Sequence, residues 1–304
     1  MLIINNALVT NERNNEVKLK SSINKNENMN SSLMQIMILD IRQNLRSRWF
    51  WVYSLLFGGF VATMFAMGIT ESQIIGFVGL SRLMVTFMQV SMVILPIYVL
   101  ISTVRSVVGD RESNVMEYVL SLPVSFTGYF WGKFIGKFVL IYVPVFIALL
   151  GAALWGTISN IDVPWDLFAL YSGLLASMIF CFLGLSMYIS SLARTQDLAV
   201  SSAFVIWLML VAFLDLILMG IMLKFRFNPE WVIGLGMLNP LQVFRTAVLV
   251  LFDPQLTVMG AASYYILDTV SRWAFVIFAL VYPVVLGLIF GYFGNRYFNK
   301  NDII

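Results

Sequence analysis

Carboxylates and methionines carry most of the chemistry open to this chain, because histidine is absent and cysteine occurs once, at Cys181. Without histidine, the commonest general base and the commonest metal ligand are both missing. A single cysteine forms neither an internal disulfide nor a thiolate cluster. Ser-His and zinc-dependent intramembrane proteolysis are therefore excluded. No catalytic or metal-ligating set is expected, and the chain is read as non-catalytic.

Three groups remain. Asp215 stands inside the apolar run Phe213-Leu214-Asp215-Leu216-Ile217-Leu218. A carboxylate deep in a membrane span costs at least a few kcal/mol unless it is paired, neutral or hydrated. It either lines a path, switches between two packings, or locks helices together by a hydrogen bond. Met84, Met88 and Met92 recur at i, i+4 and i+8, on one helical face. Thioethers are soft ligands suited to Cu(I), but methionine also fills irregular packing, and packing or lipid contact is the reading taken here. The third group runs from Gly109 to Pro123. Asp110, Arg111 and Glu112 lead it, Val115, Met116, Val119 and Leu120 follow at helical spacing with Glu117 between them, and Pro123 ends it. A short acidic-start helix of this kind docks in the groove of a soluble partner or lies as a solvated linker at an interface.

The elements that must position these groups are membrane-spanning helices. Of 304 residues 60% are apolar and 12% are charged, against about 45–50% and about 25% in an ordinary soluble domain. The apolar runs near 50–70, 83–104, 138–158, 167–193, 198–223 and 273–293 each match the ~20 residues needed to cross a ~30 Å hydrocarbon core. They do not alternate as barrel strands do. The fold class expected is an all-α integral membrane protein with about six spans. Pro96, Pro144 and Pro283 fall inside spans as tolerated kinks. Gly128, Gly132 and Gly136, and again Gly287 and Gly291, have the spacing that allows close helix approach.

Around the spans, residues 1–30 read as a disordered, Asn-rich polar tail. Residues 31–48 read as an amphipathic interfacial helix, with Leu33, Met34, Met37, Ile38, Ile41 and Leu45 near one face and Asp40 largely elsewhere. Trp49 and Trp51 then suit an aromatic belt. Residues 49–298 form the span domain, with polar segments at 105–137 and 224–272. In the second, Asn228-Pro229 and Asn239-Pro240 read as capped helix starts. The stripe Leu241, Phe244, Val248 and Leu251 suggests short helices lying at the outer surface. Basic residues gather in the first 48 positions and at Arg105, Arg111, Lys133, Lys137, Arg194, Arg296 and Lys300. The positive-inside rule therefore puts both termini in the cytoplasm, segment 105–137 inside and segment 224–272 outside.

The segment 109–123, followed by Gly132-Lys133-Phe134-Ile135-Gly136-Lys137, resembles the cytoplasmic coupling region of ABC-2-type permeases. Members of that family have an interfacial helix, six spans and an acidic coupling helix before a Gly-Lys-rich start of span three. Here Ser113-Asn114 replaces the Gly-Thr that many members carry. No G-x-x-x-x-G-K-[ST] phosphate loop is present, so ATP would be bound by another polypeptide. The resemblance implies a homodimer in a bacterial inner membrane, with two separate ABC ATPase subunits that hold ATP and Mg. Asp110, Arg111, Glu112, Met116, Glu117 and Leu120 would meet the ATPase. A narrower resemblance covers Phe213 to Leu218, Phe227 to Glu230, and Leu238-Asn239-Pro240 through Val243-Phe244-Arg245. It is to permease subunits that serve copper-site maturation of nitrous oxide reductase. It implies that Asn228, Glu230, Asn239 and Arg245 meet a periplasmic copper-maturation protein. Membrane lipid is an expected partner and nucleic acid is not. Two other readings stay open on the sequence: an ABC-2 exporter of lipid, peptide or drug, and a secondary transporter using Asp215 as a proton site.

Overall fold

The computed structural model describes residues 33–75, 77–116, 125–158, 163–214, 216–217, 220, 224, 234–252 and 271–301. The tail 1–30, Glu117, Leu120, Asp215, Asn228, Glu230 and the side chain of Met84 lie outside the described residues. The elements are α1 (33–45), α2 (Arg48–Ile75), α3 (Phe77–Glu112), α4 (Phe126–Ile158) and α5 (Trp165–Leu192). They continue with α6 (Gln196–Leu208), prolonged by a π-helical turn at Met209–Phe213, then α7 (Pro240–Phe252) and α8 (Arg272–Asn301). Among the described residues the structure is helical, and five helices are long and apolar enough to cross a membrane. The expected first span lies on α2, whose described apolar stretch is Phe50–Thr63.

Helix α5 forms the centre of the bundle, with Leu174, Leu175, Met178, Phe182 and Leu183 buried. It crosses α8 glycine on glycine. A Cβ at Gly184 would lie 2.3 Å from the Gly287 carbonyl oxygen, and one at Gly291 would meet Trp131 at 3.0 Å. Gly184 and Gly287 thus do what small residues do in membranes, letting backbones touch, while Gly291 makes room for the Trp131 side chain of α4. Helix α3 lies on another side of α5. Thr103 donates to Ser186 at 2.6 Å, and Ser190 Oγ accepts from the Val107 and Val108 N–H groups at 3.0 and 3.1 Å.

Proline lacks an N–H and its ring pushes on the preceding turn, so it loosens nearby carbonyls that lipid cannot satisfy. Neighbouring helices supply donors at two of the three span prolines. The Trp207 indole donates to Val93 O at 3.3 Å beside Pro96, and Ser177 Oγ to Leu280 O at 2.6 Å beside Pro283.

Two expectations change. Segment 105–137 is not a separate polar stretch, because α3 continues to Glu112 and α4 already begins at Phe126. Helix α3 has 36 residues, ~54 Å of rise against a hydrocarbon core of ~30 Å. Hydropathy marks where the bilayer ends, while the helix goes on into the polar layer. Asp110 and Glu112 therefore close a span rather than open a coupling helix.

On helix α1, Met34, Ile38 and Leu45 of the apolar stripe are exposed, as on a helix lying against lipid, while Ile36 and Asp40 are buried against the protein.

Helix α7 does not lie on the outer surface. Leu241, Val243, Phe244, Ala247, Val248, Leu249, Val250 and Leu251 are all buried, and the helix packs against α3, α5 and α8. Its apolar face is broad enough to bury eight residues, and the four-residue stripe understated it, while Gln242 and Arg245 remain half-buried on the polar side. Its C-terminal carbonyl at Leu251 accepts from Arg272 at 3.3 Å. The chain just before it, at Leu238, accepts from the Tyr282 hydroxyl at 2.7 Å. Tyr282 lies about ten residues into α8, ~15 Å from Arg272. Helix α7 therefore runs beside the first part of α8 with its N-terminus deep, as a re-entrant element.

A candidate functional site at the lysine end of the bundle

One end of the bundle gathers α1, the end of α3, the start of α4, the α5–α6 turn and the end of α8. Lys133 and Lys137 stand one turn apart on α4 and so share a face. Gly132 and Gly136 flank them. A Cβ at Gly132 would lie 2.8 Å from Leu33 O, and one at Gly136 would lie 3.3 Å from the Asp40 carboxylate. The glycines let α1 rest directly on α4.

Each lysine reaches a different helix. Lys137 Nζ lies 3.5 Å from Asp40 and donates to Asn44 Oδ1 at 3.0 Å, while Asn44 Nδ2 donates to Asp40 O at 2.8 Å. Lys133 pairs with Asp110 and donates to Ser106 O at 2.7 Å, which ties α4 to α3. The Tyr129 hydroxyl also donates to Asp110. Removing two charges from water costs several kcal/mol per ion, so such pairs hold only with good geometry and added hydrogen bonds. The Lys133–Asp110 pair has those bonds, from Tyr129 and to Ser106 O, whereas at the second pair Lys137 has one to Asn44 and Asp40 Oδ2 is buried with no hydrogen-bond partner.

The last turn of α3 makes a second set of ties. Arg111 Nη1 donates to Ala193 O at 3.2 Å, serving the C-terminus of α5. Glu112 is exposed, and its Oε1 accepts the Gln196 N–H at 3.1 Å, at the start of α6. Thr195 caps the same helix by accepting from Leu198 N. The chain then turns at Ser113-Asn114. Asn114 has φ of 57°, a left-handed conformation that asparagine tolerates better than most residues. Val115 and Met116 resume a helical path, with Met116 buried rather than offered to a partner. At the start of α4, Phe298 stacks on Tyr129 at 5.7 Å and Asn299 donates to Thr127 at 3.2 Å, so α8 closes the end.

The structure thus joins Asp110, Arg111 and Glu112 in one cluster and adds Asp40, Lys133 and Lys137. The sequence signal for the added residues was two lysines at i, i+4 with a glycine before each, opposite an amphipathic helix carrying one aspartate. The expected outer contacts are differently placed. Asn239 is 3% exposed and its amide is occupied within the chain, which removes it as a partner contact. Its Oδ1 accepts from Leu241 N at 3.0 Å, capping α7 as the Asn-Pro pattern predicts, and its Nδ2 donates to Leu210 O at 2.7 Å. Leu210 lies in the π-helical turn. Arg245 is half-buried on α7. Met88 is buried and Met92 half-buried in the α3 packing. Among the described residues no group of three or more Cys, Asp or Glu side chains could hold a metal ion.

Asp110, Arg111 and Glu112 thus bond the end of α3 to α4 and to the α5–α6 turn. The family described as "ABC-2 family transporter protein" matches residues 34–303. The "Probable ABC transporter permease protein NosY" of Stutzerimonas stutzeri is 24% identical over 232 residues, covering 74% of this chain and 83% of that protein. With the family matched over nearly all of its spans, the chain belongs to the ABC-2 transporter family.

Proposed function

We propose that this chain is the permease subunit of an ATP-driven transporter in a bacterial inner membrane, with the lysine end and both termini cytoplasmic. Two copies form the membrane part, and two separate ABC ATPase subunits holding ATP and Mg dock beneath it. The observation that carries this reading is the circuit of bonds around Asp110, Arg111 and Glu112. The chain leaves that circuit at Asn114 toward Glu117 and Leu120, the part that would meet the ATPase. ATPase closure displaces this segment, and the circuit passes the displacement to α3, α4 and the α5–α6 turn together. Nothing more is needed than an ATP-bound ATPase pair that favours one of two helix packings.

The end bearing α7 then faces the periplasm. The likeness to the NosY permease, together with the residues from Phe213 to Leu218 and Leu238 to Arg245, supports a narrower task. That task is copper-site maturation of nitrous oxide reductase with a periplasmic copper-maturation protein, Asn228, Glu230 and Arg245 being the contact residues.

Affinity purification of the tagged chain from native membranes, followed by mass spectrometry of what accompanies it, tests the reading. An ATPase bearing a phosphate loop should co-purify. The Glu112→Lys, Glu117→Lys variant should recover it at about tenfold lower yield, equivalent to ~1.4 kcal/mol of docking energy. Absence of any ATPase after cross-linking contradicts the proposal.

A further inference from the structure

A pocket between α2 and α3 belongs neither to the lysine cluster nor to α7. Its volume is about 460 Å³, and Val52, Phe57, Phe60, Val90, Ile94 and Tyr98 are among its lining residues. That lies within the about 300–1,000 Å³ usual for small-molecule sites. The wall is almost wholly apolar. Leu56 and Ile94 form an exposed rim, so the pocket opens sideways rather than into the bundle.

Two dimensions identify the occupant. The lining runs from Val52 to Phe60 on α2 and from Val90 to Tyr98 on α3, ~12 Å along each helix. One leaflet of a ~30 Å hydrocarbon core is ~15 Å deep, so the pocket has the depth of one acyl layer. Charge marks its mouth. Arg48 is exposed and lies one turn before Val52, in the same row as Val52 and Leu56. Arg46 is exposed at the end of α1, and the Trp51 indole donates to Leu45 O at 3.0 Å, fixing α1 against α2 there. An apolar slot one leaflet deep, with two guanidinium groups at head-group level, matches a lipid whose head is negative.

We propose that this pocket binds one acyl chain of an anionic phospholipid from the arginine-bearing leaflet, with Arg48 and Arg46 holding the head group. The chain supplies the binding area and the arginines supply the choice of head group. Such a lipid wedges α2 against α3 directly beside α1, so it becomes part of the lateral wall of the bundle.

Native mass spectrometry of the delipidated full chain in mild detergent tests this, with palmitoyl-oleoyl phosphatidylglycerol or palmitoyl-oleoyl phosphatidylcholine added. The wild-type chain should retain one phosphatidylglycerol, with about five- to tenfold preference over phosphatidylcholine. Val90→Trp, which fills the slot, should abolish retention, and the milder Val90→Phe should weaken it. Arg48→Gln should keep lipid but lose most of the preference. Val281→Trp, at an exposed site on α8, should change nothing. Retention unaltered in both Val90 variants, or no head-group preference in the wild type, overturns the proposal. So does a Val90→Phe chain that loses a dimer rather than a lipid, because a second copy would then fill the pocket.

Discussion

Lys133 and Lys137 hold their neighbours through carboxylates, whereas Asn239, Tyr282 and Arg272 hold theirs through main-chain carbonyls. The first set joins α1, α3 and α4 at one end of the bundle, and the second joins α7 to the π-helical turn and to α8 at the other. A buried ion pair broken by removing one partner costs about 3–5 kcal/mol, while an ordinary hydrogen bond contributes about 0.5–1.5 kcal/mol. The lysine end is therefore hard to open. The α7 end is linked by bonds weak enough to exchange one at a time. An element that receives force should be stiff, and an element that responds to it should have a second arrangement within reach. The π-helical turn favours the same division, since such turns place irregular hydrogen bonding where a helix can shift register.

The largest expected effect is at the lysine end. Lys137→Met leaves Asp40 charged and buried, and should destabilise the chain by about 3–5 kcal/mol in heat or SDS unfolding in micelles. Adding Asp40→Leu should recover most of that loss, because replacing a whole pair by apolar groups is often neutral. A loss that persists in the double variant would show that α1 docks by shape alone. At the other end, Asn239→Ala removes both the α7 cap and the bond to Leu210 O, and should cost about 1–3 kcal/mol by the same assay. Tyr282→Phe deletes one bond to Leu238 O and should cost only about 0.5–1.5 kcal/mol. If Tyr282→Phe proved as costly as Lys137→Met, the contrast between the two ends would disappear.

Much of the fold was readable because a bilayer imposes length. Runs of apolar residues placed the spans, Gly287 and Gly291 announced a close crossing, and Asn239-Pro240 announced a capped helix. The errors share one cause. Sequence patterns were read against a single surface, whereas a membrane protein has lipid, water and its own core to satisfy. Asp40 turns inward to Lys137 across the α1–α4 contact, a pairing that the amphipathic pattern of α1 does not show. The stripe of Leu241, Phe244, Val248 and Leu251 suggests a superficial α7, although Val243, Ala247, Leu249 and Val250 widen its apolar face enough to bury it. The clustering of Asp110 with Lys133, or of Glu112 with Gln196, spans too many residues for spacing to reveal. It follows only from how α3, α4 and the α5–α6 turn meet.

The central claim is that ATPase docking moves the lysine end as one unit and re-packs the α7 end. Hydrogen exchange of the chain in complex with its ATPase, nucleotide-free against ATP-trapped, tests it most directly. The account predicts that amides of 33–45 and 130–140 keep their protection in both states. Those around Ser113 and Asn114, and those of Leu210 and Leu241, should change by at least about tenfold, ~1.4 kcal/mol of local opening. Loss of protection along 33–45 and 130–140 with α7 unchanged would contradict it.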